Sequence, residues 1–174
     1  MCAEVDAMEQ ARSQAASGLG KAGFVRRGFA RGWFTLTVAF ALHVFDEATT
    51  EFLNVYNPTV TAIRARWGWF PMPTFGYREW LVGLIAAVLL CLLLTPFAAW
   101  NARWLRPLAW FYALIMFFNG VGHTLFTILG HTVATVTFPR PAPGFYSSPF
   151  LFVGSVWLMR ELVKTGAGLR RAAA

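Results

Sequence analysis

The stretch WLVGLIAAVLLCLLLTPFAAW, from Trp80 to Trp100, constrains this chain more than any other. It contains no Asp, Glu, Lys or Arg, and its length matches the roughly 20 apolar residues needed to cross about 30 Å of hydrocarbon. A Trp at each end suits the aromatic belts of a bilayer. Three further apolar runs accompany it. The first extends from Trp33 to about Tyr56. The third extends from Pro107 to about Gly130, with Pro107 in the first turn, where its missing N–H does no harm. The fourth, from Ser148 to Val163, is shorter, and Arg160 and Lys164 can snorkel at its end. These runs are too long for strands and do not alternate with period two.

Composition points the same way. Of 174 residues, 57% are apolar and 13% charged, with 17 Phe and 8 Trp; soluble domains lie near 45–50% and about 25%. The predicted fold is all-α, an integral membrane bundle of four transmembrane helices over residues 33–164. A polar, disordered tail over 1–32, with a short amphipathic helix near Ala11, precedes it, and a short basic tail over 165–174 follows. The net charge of +7 does not imply nucleic acid, because the cations are spread between apolar runs rather than gathered on one face. Cys2 and Cys91 lie in such different settings that both read as free thiols.

The basic residues orient the bundle. Arg12, Lys21, Arg26, Arg27 and Arg31 precede the first run, Arg103 and Arg106 follow the second, and Arg160, Lys164, Arg170 and Arg171 close the chain. Those eleven share one side if all four runs cross, against Arg64, Arg66, Arg78 and Arg140 on the other. Positive residues mark the cytoplasmic side, so both termini are expected there, in the inner (plasma) membrane. RRGFAR, Arg26 to Arg31, also resembles a twin-arginine export signal followed by an Ala39–Phe40–Ala41 cleavage pattern. Paired Arg before a first span is what topology alone requires, and a multispan chain is an unusual cargo for that exporter. The segment over 57–79, rich in Trp, Phe and Pro, reads as an amphipathic or re-entrant piece at the outer interface.

Against this background LHVFDEATTE, residues 42 to 51, stands out. On a helix His43, Asp46 and Glu47 share one face, and Glu51 continues it nearer the interface. A charge near the centre of a spanning helix costs at least about 2.5–3.5 kcal/mol, so these groups call for a function or a partner. In the third run Asn119 and His123 are spaced i, i+4, and Thr127 and His131 continue that face toward the membrane surface. Gly120 and Gly122 allow a neighbouring helix to approach. Two polar stripes, each with a His, would meet inside a four-helix bundle.

Imidazole with carboxylate suits zinc, iron or manganese. His43, Asp46, Glu47 and His123 are therefore the candidate metal ligands or acid–base groups, with Asn119 orienting one of them. A divalent transition metal, zinc or iron, is the expected cofactor, and His43 and His123 should converge within about 6 Å. Each residue also has a plainer use: His and Asn as interhelical hydrogen-bonders, Asp46 and Glu47 in ion pairs, Ser147, Ser148 and Pro149 as the entry turn and cap of the last helix.

His43-x-x-Asp46-Glu47 resembles the signature of the HXXEE family of small bacterial membrane proteins, with Asp46 where the first Glu would stand. The resemblance extends to Asn119 and His123 and to the turn Tyr146–Ser147–Ser148–Pro149, where Phe150 replaces a Gly. It implies a shared polar site in a helical membrane domain and names no reaction. The leading reading is a metal-dependent hydrolase or oxidoreductase acting on a lipid-soluble substrate. A proton-coupled small transporter, paired with a second copy of the chain, and a non-enzymatic accessory membrane subunit are the alternatives. The lipid bilayer is the expected partner in each.

Overall fold

The computed structural model describes residues 28–138 and 140–172. The expected amphipathic helix near Ala11, the body of the amino-terminal tail and Cys2 lie outside those residues. Helix α1 covers Gly28–Thr49, α2 Leu53–Arg66, α3 Tyr77–Leu93, α4 Thr95–Ala99, α5 Leu105–Leu129 and α6 Ser148–Ala172. A two-stranded antiparallel hairpin, β1 His131–Val133 and β2 Val136–Thr137, lies between α5 and α6. Three stretches are long and apolar enough to cross a membrane: α1, α3 continued through α4, and α5. Helix α6 is as long, but its second half carries Arg160, Glu161 and Lys164.

Element boundaries depart from the sequence reading around α1 and α2. The first helix is already formed at Gly28, the first described residue, ahead of Trp33, and it ends at Thr49 rather than near Tyr56. The stop is backbone-driven. Glu51 sits in the left-handed region at φ 58°, which terminates a helix much as a left-handed Gly does. Thr49 Oγ1 donates to Phe45 O at 2.9 Å and Thr50 Oγ1 to Asp46 O at 2.6 Å, so the last carbonyls are not left bare. Helix α2 then occupies the first part of the segment expected over 57–79, starting at Leu53 rather than Asn57, with Val60 its one buried residue. The segment over 67–76 lacks regular structure but is tied to α2. Asn57 Nδ2 donates to Phe75 O at 2.9 Å and its Oδ1 accepts from Phe75 N at 3.0 Å. Tyr56 donates its hydroxyl to Pro73 O at 3.0 Å.

Pro96 lacks an N–H and interrupts the second run, separating α3 from α4. The carbonyl of Cys91 above the break accepts from Trp33 Nε1 at 2.9 Å and from Thr95 Oγ1 at 3.3 Å. Gly130 ends α5 in the left-handed region at φ 76°, where Gly carries no steric penalty.

The core lies between α1, α5 and α6, around Phe29, Trp33, Leu36, Tyr112, Leu151 and Leu158. Small residues set the spacing. A Cβ on Gly120 would lie 2.9 Å from Ser148 O, one on Gly32 3.2 Å from Leu158 Cα, and one on Gly154 3.3 Å from Leu36 Cα. These contacts bring helix backbones together as membrane bundles favour. Outward, the surface is apolar: Phe45, Leu93, Phe118 and Ile128 are exposed, and only 11% of the apolar window in Tyr77–Ala99 is buried. Water does not suit such a surface, whereas lipid does.

Candidate functional site

The two polar stripes meet. His43 and Glu47 lie one turn apart on α1, and His123 faces them from α5, the two imidazole centroids 4.8 Å apart. Glu47 Oε1 is 3.3 Å from His43 Nε2 and 3.2 Å from His123 Nε2. All three side chains are buried, and their ligand atoms lie within 4.8 Å of one another.

The far side of each ring fixes what the near side offers. His123 Nδ1 lies 2.5 Å from Pro143 O. A carbonyl only accepts, so that nitrogen carries the proton and, in the neutral ring, Nε2 presents a lone pair. His43 Nδ1 lies 2.7 Å from Ser147 Oγ. That hydroxyl also lies 2.8 Å from Asp46 Oδ2, which accepts the Ser147 N–H at 2.8 Å as well. Ser147 has one hydroxyl proton and gives it to the carboxylate, so His43 Nδ1 donates to Ser147 Oγ. Its Nε2 lone pair then also points at Glu47, and that atom is buried with no hydrogen-bond partner. Two imidazole lone pairs and a carboxylate oxygen thus converge, each ring braced from behind by a hydrogen bond. Metal-ligating His residues are braced in the same way.

The expected ligand set is therefore divided by the structure. His43, Glu47 and His123 come together. Asp46 instead turns to the amino terminus of α6, where its charge meets the positive end of the helix dipole. Asn119 does not reach the cluster through any hydrogen bond; its Oδ1 is buried without a partner, and it lines a cavity beside His123. The orienting role expected of Asn119 falls to Ser147 and Pro143 O. Glu51 is exposed and accepts from Asn54 Nδ2 at 2.8 Å, and His131 lies in the hairpin, both away from the cluster. Cys91 is a free thiol.

Sequence reasoning passed over the turn that closes the site. Gly144 adopts φ 78°. A Cβ there would lie 2.7 Å from His123 Cε1, 2.9 Å from its Nδ1 and 3.0 Å from Glu47 Cγ. The turn is anchored by Gly144 N donating to Thr50 Oγ1 at 3.1 Å and Ala142 N donating to Thr127 Oγ1 at 3.0 Å. Pro–Gly in PAPGFYSSP is the local signal of a turn; nothing local reveals that it lies over the cluster.

Two cavities flank the cluster. One, of about 230 Å³, has walls of Phe52, Val55, Phe118, Phe126 and Phe138 and reaches His123. The other, of about 490 Å³, is lined by Glu47, Glu51, Asn54, Asn57, Tyr77 and Trp80 among others. Phe52 lines both. No protein family, no curated protein and no solved structure matches the chain.

Proposed function

We propose that this chain is a metal-dependent enzyme of the plasma (inner) membrane, with four spans and both termini cytoplasmic, acting on a lipid-soluble substrate. His43, Glu47 and His123 hold one divalent transition ion. The carrying observation is the convergence of two braced Nε2 lone pairs on Glu47 Oε1 at 3.2 and 3.3 Å. Two ligands about 2.0–2.1 Å from a tetrahedral ion stand about 3.3 Å apart. Charge-assisted N–H···O bonds are shorter, about 2.7–2.9 Å, so the spacing favours a coordination edge over a simple ion pair. The 4.8 Å span of the whole group implies that the two rings draw together when the ion binds.

Two His and one carboxylate leave coordination positions for water or substrate. That donor set serves zinc in hydrolysis and ferrous iron in oxygen chemistry, and the ion's charge offsets the desolvation of Glu47. Asp46 supports the site from behind through Ser147, in line with the proposed membership of the HXXEE family. On this reading its signature supplies two ligands, His43 and Glu47, and one brace.

Thermal unfolding of the chelator-treated protein in a neutral detergent tests the proposal. Zinc or ferrous iron at about 100 times its Kd adds about 2.7 kcal/mol, a rise of roughly 5–10 °C for a chain of this length. His123→Ala should abolish the rise. Equal melting with and without metal, in wild type and variant alike, contradicts the reading.

A further inference from the structure

The cluster stands where two unlike chambers adjoin. Glu47 lines one, His123 lines the other, and Phe52 lines both. Phe52 is fixed as the divider by its neighbours. Its ring centroid lies 5.9 Å from that of Trp80, 5.5 Å from Tyr56 and 5.6 Å from His123.

The chamber on the His123 side is walled mainly by aromatic and aliphatic carbon. Its hydroxyls from Thr59 and Thr132 are occupied: Thr59 Oγ1 donates to Val55 O at 2.7 Å, and Thr132 Oγ1 donates to Thr59 Oγ1. Asn119, one turn before His123 on α5, also lines it, with its Oδ1 buried in the wall and without a partner. An apolar chamber beside the ligand set suits a hydrocarbon chain whose polar group begins at the metal.

The chamber on the Glu47 side is different. Glu47 and Glu51 both line it, with the aromatic rings of Phe75, Tyr77 and Trp80, and no Lys, Arg or His is among its lining residues. Glu47 is committed to the two imidazoles, which leaves Glu51, bonded to the neutral amide of Asn54, as the carboxylate in this chamber with no cation against it among the described residues. Glu51 is held in the left-handed region at φ 58°, a conformation that costs a non-Gly residue about 1–3 kcal/mol and concentrates at functional sites. A carboxylate with aromatic faces around it recognises an ammonium group.

We propose that the substrate is a single-chain cationic amphiphile: its hydrocarbon tail fills the chamber beside His123, its ammonium head lies against Glu51, Tyr77 and Trp80, and Phe52 separates the two. This rests on the metal-site reading for the reacting position between head and tail.

Binding of dodecylamine, dodecanol and dodecanoate to the metal-loaded full chain in phosphatidylcholine nanodiscs tests it, with the metal content of each sample measured alongside. The amine should bind at least about tenfold more tightly than the alcohol or the acid. Gly122→Leu should abolish amine binding while metal content is unchanged, since a Cβ at Gly122 meets nothing nearer than Phe126 at 3.8 Å and the side chain grows into the tail chamber. Val55→Trp, on α2, fills the same chamber from the other wall and should do likewise. Glu51→Gln should remove the preference for the amine. Equal binding of amine and acid overturns the ammonium head, and unchanged binding in both chamber-filling variants overturns the tail site. A loaded sample that retains no metal yet binds the amine in this pattern would refute the metal centre and leave the amphiphile site standing.

Discussion

The two ends of α1 are stabilised by different means. Toward Gly28 the helix lies against α6 through Phe29, Trp33, Leu36 and Leu158, with Gly32 and Gly154 setting the distance. Contacts there are mostly apolar, with Trp33 Nε1 bonded to Cys91 O and Glu161 beside Gly28 as the polar exceptions, and close packing is what they chiefly offer. Toward Thr49 the same helix meets α5 and the turn before α6 through His43, Asp46 and Glu47. Directional bonds replace packing there, and each has a stated donor and acceptor. On the proposed function, the first end can be altered without touching the metal site, and the second cannot. A buried acid between two imidazoles adds desolvation cost that the apolar end of the helix does not carry.

Substitutions at the two ends should therefore separate stability from metal binding. The largest effect is expected from Glu47→Gln and His123→Ala, which should bring bound metal to background. Chelator-treated Glu47→Gln should melt at or slightly above the chelator-treated wild type, because it removes a buried charge. Leu158→Ala, at the other end, should cost about 2–5 kcal/mol while the folded fraction keeps its full complement of metal. Loss of metal from folded Leu158→Ala protein would break the division between the ends.

Gly144→Ala should act on both quantities at once. Its φ of 78° strains any other residue by about 1–3 kcal/mol, and the new Cβ would push on His123 and Glu47. Titration with zinc and melting of the same sample measure the two effects. Ser147→Ala is subtler. It removes the hydroxyl between Asp46 and His43, so metal affinity should fall about 10–100-fold with a smaller change in melting. The smallest effect belongs to Glu51→Gly, which relieves the left-handed strain but adds freedom to the unfolded chain, for a net stabilisation of about 1 kcal/mol without changing metal affinity.

The apolar runs were legible because their period and length are local properties. Pro107 to Gly130 corresponds closely to α5, Leu105–Leu129. Where α1 stops was not legible, since VFDEATTEFLN holds neither Gly nor Pro and the break depends on one Glu in the left-handed region. The face shared by His43 and Glu47 follows from helical spacing, and His123 from the matching stripe on α5. The separation of Asp46 from Glu47 does not follow. Both lie on the same side of α1, and only the arrival of Ser147, 101 residues later, draws Asp46 away. Ser147 read as a cap because Ser before a helix usually is one; its second bond, to His43, is a tertiary contact with no sequence period. The hairpin at 131–137 escaped notice for the same reason, being too short to alternate.

Elemental analysis of the purified full chain after loading with zinc or ferrous iron and removal of free metal tests the central claim most directly. Wild type should retain one ion per chain, and His43→Ala, Glu47→Gln and His123→Ala should each retain none, while Asp46→Asn keeps a weakened site. Wild-type protein without metal, or equal metal in wild type and the three ligand variants, would contradict the account.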